Sequence, residues 1–208
     1  LILVASFLAG FFLTDSYLGG VAGLLLWFVL PLVPLLTRVR RLRLPVEKSL
    51  ESRPPPTVNQ FPMLNDFTDE IEAQDFEYVS DKGWEWDDSR QYFRIFYHER
   101  ERQQAVICLS EQEDVSFAFV SIVCRTKYGQ TYRTWNYPFS HTMKTSPGVL
   151  MNPVSKADSF ADLLAAPHNF LELYAVDPAD ILVQDEKSFD QAMEEEIRLQ
   201  VRHNLDRG

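Results

Sequence analysis

The chain has 208 residues, 46% of them hydrophobic, with 20 basic and 30 acidic side chains and a formal charge of −10. Residues 1–48 hold five basic residues (Arg38, Arg40, Arg41, Arg43, Lys48) against Asp15 and Glu47, so residues 49–208 carry 15 basic and 28 acidic residues, a net −13. A domain this acidic repels nucleic-acid phosphates and anionic lipid headgroups, which argues against DNA or RNA as a partner.

Leu1 to Arg43 consists of two apolar runs that meet at a polar knuckle. The second run, Leu18 to Leu36, carries no charge and meets the ~20-residue length that a helix needs to span hydrocarbon. As one helix, Leu1 to Thr37 would be ~55 Å long, far beyond a ~30 Å hydrocarbon core, and would bury Asp15. Thr14-Asp15-Ser16 and Gly19-Gly20 supply turn chemistry, so the reading is a transmembrane helical hairpin over residues 1–43 that reverses within 14–20. Its first arm covers only ~20 Å, which implies that more of that helix precedes Leu1; a cleaved signal peptide is the competing explanation. Arg38, Arg40, Arg41 and Arg43 place both ends on the cytoplasmic side of the inner membrane. Gly19, Gly20 and Gly23 would let another backbone approach closely, and Pro31 and Pro34 leave carbonyls in need of support. With Trp27, these glycines are the hairpin's candidate partner-binding residues, the alternative being that Gly19 and Gly20 serve only the turn.

Residues 44–62 contain Pro45, Pro54, Pro55, Pro56 and Pro62 and read as a stiff, extended linker. The remainder, 63–208, is expected to be one soluble, cytoplasmic α+β domain. Leu64, Phe67, Ile71 and Phe76 recur at helical spacing over Met63 to Phe76. The period then changes to two through Tyr78-Val79, Trp84-Glu85-Trp86, 92–98, 105–109, 115–125 and 131–137, an antiparallel meander of five or six strands. Turns are predicted at 81–83, 87–89, 99–102, 111–114 and 127–129. With the reversal at 111–114, Cys108 pairs near Phe117 and Cys124 near Glu101, so the two thiols do not face each other and read as core residues.

Phe139 to Pro153 reads as an ordered loop. Ser155 to Asp158 offers a start for a helix carrying Phe160, Leu163, Leu164, Phe170, Leu171 and Tyr174, with a kink or break at Pro167. Ile181-Leu182-Val183 is a short extended piece. A charged helix follows from Glu186 to Asn204, with Phe189, Met193, Ile197, Val201 and Leu205 inward and a Glu194–Arg198 pair outward.

Chemistry is sparse. His98, His141, His168 and His203 have no local His or Cys partner, and no phosphate loop, nucleophile elbow or kinase signature occurs, so neither metal nor cofactor is expected. An enzyme would need His98 or His168 to meet a carboxylate or thiol in a cleft. Trp84 and Trp86, on one face of a strand, are candidate partner-gripping residues, or else they cover an end of the sheet.

The segments Phe-Arg-Ile-Phe-Tyr-His (93–98), Gln104-Ala105-Val106, 117–121 and Tyr128 to Asn136, followed by Leu163-Leu164 and His168, resemble an uncharacterised family of bacterial membrane-anchored proteins with a cytoplasmic α+β domain. The resemblance spans most of 65–208, implies bacterial origin and cytoplasmic placement, and carries over no site residue. Tyr128-Gly129 departs from the Asp-Gly that the family pattern implies there. The functional expectation is a non-catalytic accessory or structural subunit of a larger inner-membrane complex, with other integral membrane subunits and the lipid bilayer as partners. A membrane-tethered sensory domain is the alternative, and a closed apolar pocket of ~300 Å³ or more would favour it.

Overall fold

In the computed structural model, residues 2–29, 49–86, 89–112, 115–138, 144–157 and 159–207 are described. They divide into two compact units, Leu1–Leu44 and Pro45–Gly208.

The first unit is a pair of 13-residue helices, α1 (Ile2–Thr14) and α2 (Tyr17–Val29). Only Asp15 and Ser16 separate them, Asp15 lying in the left-handed region at φ 51°. The Ser16 carbonyl accepts from the Gly20 N–H at 3.2 Å, and its hydroxyl accepts from Leu18 at 3.3 Å. The reversal is therefore tighter than the expected 14–20: Gly19 and Gly20 belong to α2. The predicted continuation to Leu36, with Pro31, Pro34 and the arginines at 38, 40, 41 and 43, lies outside the described residues. Among the described residues, no helix is long and apolar enough to cross a membrane.

The second unit is a seven-stranded sheet with helices on both faces. Its strands are β1 (Glu51–Ser52), β2 (Glu77–Trp86), β3 (Ser89–His98), β4 (Gln103–Gln112), β5 (Val115–Arg125), β6 (Thr131–Trp135) and β7 (Val149–Pro153), and their spatial order is their chain order. Neighbours from β1 to β6 are antiparallel, as a meander requires, whereas β7 lies parallel to β6. The expectation of five or six antiparallel strands is corrected at both edges. The linker supplies β1, and the stretch read as a loop supplies β7. Within 44–62 the chain also sends Phe61 into the core at 6% exposure, so this stretch is built into the domain from Leu50 onward.

Three details of the meander differ from the sequence reading. Asp81-Lys82-Gly83 is interior to β2 and pairs with Arg94, Phe93 and Tyr92; the turn-like triplet is overridden by ladder bonds on both sides. The β4–β5 ladder closes with Gln112 opposite Val115, which puts Cys108 opposite Phe119 instead of Phe117. The central strand β4 is buried continuously from Gln103 to Ser110, since helices cover both of its faces.

On one face Tyr92, Phe96, Ile107, Leu109, Val120 and Ile122 pack under α3 (Leu64–Glu72) and α4 (Phe160–Leu173) through Leu64, Ile71, Phe160 and Leu163. Cys124, Tyr132, Phe170, Leu171 and Ile181 extend this layer. On the other face Trp84, Phe93, Ile95, Val106 and Cys108 meet Phe189 and Met193 of α5 (Glu186–Leu205). α4 starts at Ser159, whose hydroxyl and the Asp162 carboxylate form a capping box, not within 155–158. It runs through Pro167 without ending: Leu163, Phe170 and Leu171 hold both flanks in the core, outweighing the missing backbone bond. Ile181 forms a single bridge with Thr126. In α5, Leu205 is 56% exposed, not inward, and Arg198 pairs with Glu195 in place of Glu194.

Candidate functional site

The hairpin turns many large apolar side chains outward. Leu3, Val4, Leu8, Phe12, Leu13, Tyr17, Leu18, Val21 and Leu25 are all exposed, Leu13 at 85%. Its interior combines glycines with the half-buried Phe7. A methyl on Gly10 would run into the Gly19 carbonyl, one on Gly23 would sit 2.5 Å from the Ser6 carbonyl, and one on Gly20 would sit 2.6 Å from the Phe7 ring. The close approach that Gly19, Gly20 and Gly23 permit is thus to the chain's own first helix. They were expected to face a partner subunit; their faces are occupied by α1. Trp27 lies in α2, and its side chain is outside what the structure describes. At the tip Phe11 contacts Phe12 and Tyr17, with ring centroids 5.6 and 5.1 Å apart. An aromatic group beside a polar turn is the composition found where hydrocarbon meets headgroups.

In the second unit, a groove of about 140 Å³ lies between the Pro-rich stretch and β2–β4, lined by Arg53, Pro54, Pro56, Trp84, Tyr92 and Leu109. Gly83 makes room for it: the Arg53 stem crosses where a Cβ would stand, 3.1 Å from Cδ. Its charges are mutually engaged, Glu85 accepting from Arg53 at 2.7 Å and lying 3.4 Å from Arg90 Nε. Burial raises the Tyr92 phenol's pKa, and the nearby Asp81 carboxylate adds to the rise. Trp84 is 9% exposed and packs in the core beneath α5, whereas Trp86 is 39% exposed. The two tryptophans therefore do not form one gripping surface: Trp84 serves the fold, and Trp86 alone is presented. The groove is smaller than the ~300 Å³ of usual ligand pockets, and its lining mixes apolar residues with charged ones.

The buried charges hold helices to the sheet. The buried Arg125 donates to Gln104 Oε1 at 2.6 Å and to Glu196 Oε2 at 3.4 Å, while Arg133 reaches Glu196 Oε1 at 2.8 Å. Desolvation lowers the Arg125 pKa, and the Glu196 charge opposes that shift. Lys82 Nζ lies 2.8 Å from Asp190 and 3.7 Å from Glu186, and the bond to Asp190 raises its pKa. Arg94 grips Asp81 with two bonds of 2.9 and 3.0 Å and reaches Thr68 on α3 at 3.1 Å; the Asp81 bond raises its pKa. None of these was predicted as a site. The usable signal was a basic or amide side chain on the inward face of an alternating strand, as at Lys82, Gln104 and Arg125.

The nucleophile and proton-transfer candidates stay apart. His98 accepts from the Glu101 N–H at 3.2 Å and sits edge-on to Phe76, its ring centroid 5.1 Å away. His168 reaches Glu172 at 3.2 Å, and both side chains are exposed on one helix. His141 lies outside the described residues. Burial pushes the Cys108 and Cys124 thiols up to about 12, and both are free. Among the described residues, no group of three or more His, Cys, Asp or Glu side chains is placed to hold a metal.

Comparison with protein-family models, with curated proteins and with solved structures finds no match for this chain.

Proposed function

We propose that this chain is a non-catalytic accessory subunit of a larger bacterial inner-membrane assembly, held by a transmembrane hairpin and presenting its α+β domain to the cytoplasm. The observation that carries the reading is the inverted hairpin, with glycines inside and nine large apolar side chains outside. Such a surface is stable against hydrocarbon or apolar protein and costly in water. Each described arm reaches only ~20 Å, and in this reading the apolar sequence beyond Val29 completes the second crossing. Arg38, Arg40, Arg41 and Arg43 then set the orientation by the positive-inside rule. Among the described residues, neither His98 nor either thiol is placed against a carboxylate or a second nucleophile, and the groove's small size does not favour a ligand sensor.

Because the glycines are used within the hairpin, partner subunits meet its large outer side chains instead. The test is extraction from bacterial membranes. The full chain should stay in the pellet at alkaline pH and bring the same set of integral membrane proteins through mild-detergent purification. Release at alkaline pH would overturn the anchor, and recovery of the chain alone would overturn the accessory role. Orientation is read by labelling Ser16→Cys from outside and Ser52→Cys from inside sealed vesicles after Cys108 and Cys124 are replaced; the opposite pattern reverses the topology.

A further inference from the structure

The chain joins the sheet at a place where the strand alone is too short to hold. β1 has only two residues in the ladder, Glu51 opposite Gly83 and Ser52 opposite Lys82, with one more bond from the Arg53 N–H to the Asp81 carbonyl at 3.2 Å. What secures it comes from α5. Glu194 Oε1 accepts from the Leu50 N–H at 2.7 Å, and the Leu50 side chain packs into the cluster formed by Trp84, Phe189 and Met193. The first half of α5, which also rests on Phe93, Ile95, Val106 and Cys108, is tied to the same edge in return. Asp190 and Glu186 reach Lys82, the β2 residue directly opposite Ser52, and Phe189 and Met193 share their cluster with Leu50. The second half is held elsewhere, by Arg125 and Arg133 on Glu196 and by the Ser146 N–H on Gln200 at 2.9 Å.

We propose that β1 and residues 186–194 of α5 form one latch on the sheet edge that opens and closes as a unit, so that a displacement of the chain ahead of Leu50 is felt at α5. Glu194 and Lys82 are the two fasteners. Each secures both elements: Glu194 joins them directly, and Lys82 acts from the strand against which β1 pairs. The proposal stands on the domain alone and does not depend on membrane anchorage.

Hydrogen exchange on the full chain in detergent micelles tests it. Glu194→Ala leaves the Leu50 N–H without its acceptor, a loss of one charge-assisted bond that corresponds to ~tenfold faster opening. The expected result is a common acceleration of that size in 49–53 and in 186–194, with the β4 amides unchanged. Lys82→Met, which keeps the stem and removes the charge, should accelerate the same two stretches together. Glu195→Ala, which removes only the exposed pair with Arg198, should change neither. Acceleration confined to 49–53 in Glu194→Ala, or to 186–194 in Lys82→Met, would overturn the latch. So would a response to Glu195→Ala, or exchange that quickens throughout β4.

Discussion

The two units are built from opposite rules. In the hairpin, glycine faces glycine and nine large apolar residues point away; in the domain, Phe96, Ile95, Ile107 and Ile122 are essentially inaccessible, and the buried charges are paired. The domain follows the logic of water, in which apolar area is removed from solvent at ~25 cal/mol per Å². Apolar burial would not reward the hairpin in hydrocarbon, because its surroundings would be as apolar as its side chains, and close packing of backbones is the term left to hold it.

The contrast is sharpest for one residue type in two places. Phe96 is fully buried and Phe12 is 73% exposed. Phe96→Ala should lower the domain's unfolding free energy by ~3–5 kcal/mol in urea titrations, whereas Phe12→Ala should leave that transition where it was. A comparable loss from Phe12→Ala would erase the distinction. Glu196→Ala comes next, because it strips Arg125 and Arg133 of their shared carboxylate and should cost ~3 kcal/mol by the same measurement. Glu196→Gln, which retains an acceptor, should recover part of this.

Within the hairpin, Gly23→Leu overfills a crossing that has no space, at a cost of ~1–3 kcal/mol. Distance measurements between labels on α1 and α2 should show the helices spread while membrane insertion persists; unchanged separation would mean that the glycines are not what draws them together. A pH effect follows from the thiols. Burial holds their folded pKa at about 12, above the ordinary thiol value of about 9, so their contribution is intact below pH 9 and is lost as pH rises from 9 to 12. Replacing both cysteines by alanine should flatten that part of the stability curve, and native thiols should resist alkylation near pH 8. The smallest effect belongs to Glu85→Gln at the groove, where half-exposed ion pairs are worth less than ~1 kcal/mol.

Most of the domain was legible in the sequence because long alternating strands and helical apolar spacing leave a periodic trace. Four meander strands, β3 to β6, and the helices at 64–72, 160–173 and 186–205 fall where that trace puts them, while β2 runs straight through the turn predicted at 81–83. The edges left no such trace. β1 has two residues inside a proline-rich run, and β7, Val-Leu-Met-Asn-Pro, does not alternate apolar with polar residues and ends at Pro153, so neither shows a period. Lys82 was hidden by its neighbours, since Asp-Lys-Gly has the composition of a turn; only pairing on both sides makes it a strand. Gly23 was recognised as a packing residue, but the partner proved to be Ser6 and Gly10 of the same hairpin, information that resides in the fold and not in local spacing.

The agreement between strand order and chain order has a consequence for how the domain is made. Each strand pairs with the one synthesised before it, so the sheet can grow as the chain leaves the ribosome without waiting for distant segments. The helices are the exception: α4 emerges after every strand and returns across 90 residues to Glu70, and α5 follows it and returns across 144 residues to Leu50. Until α5 docks, the face carrying Lys82, Arg125, Phe93 and Ile95 lacks its cover, and the rate at which that helix folds back decides how long the nascent sheet stays open on this side.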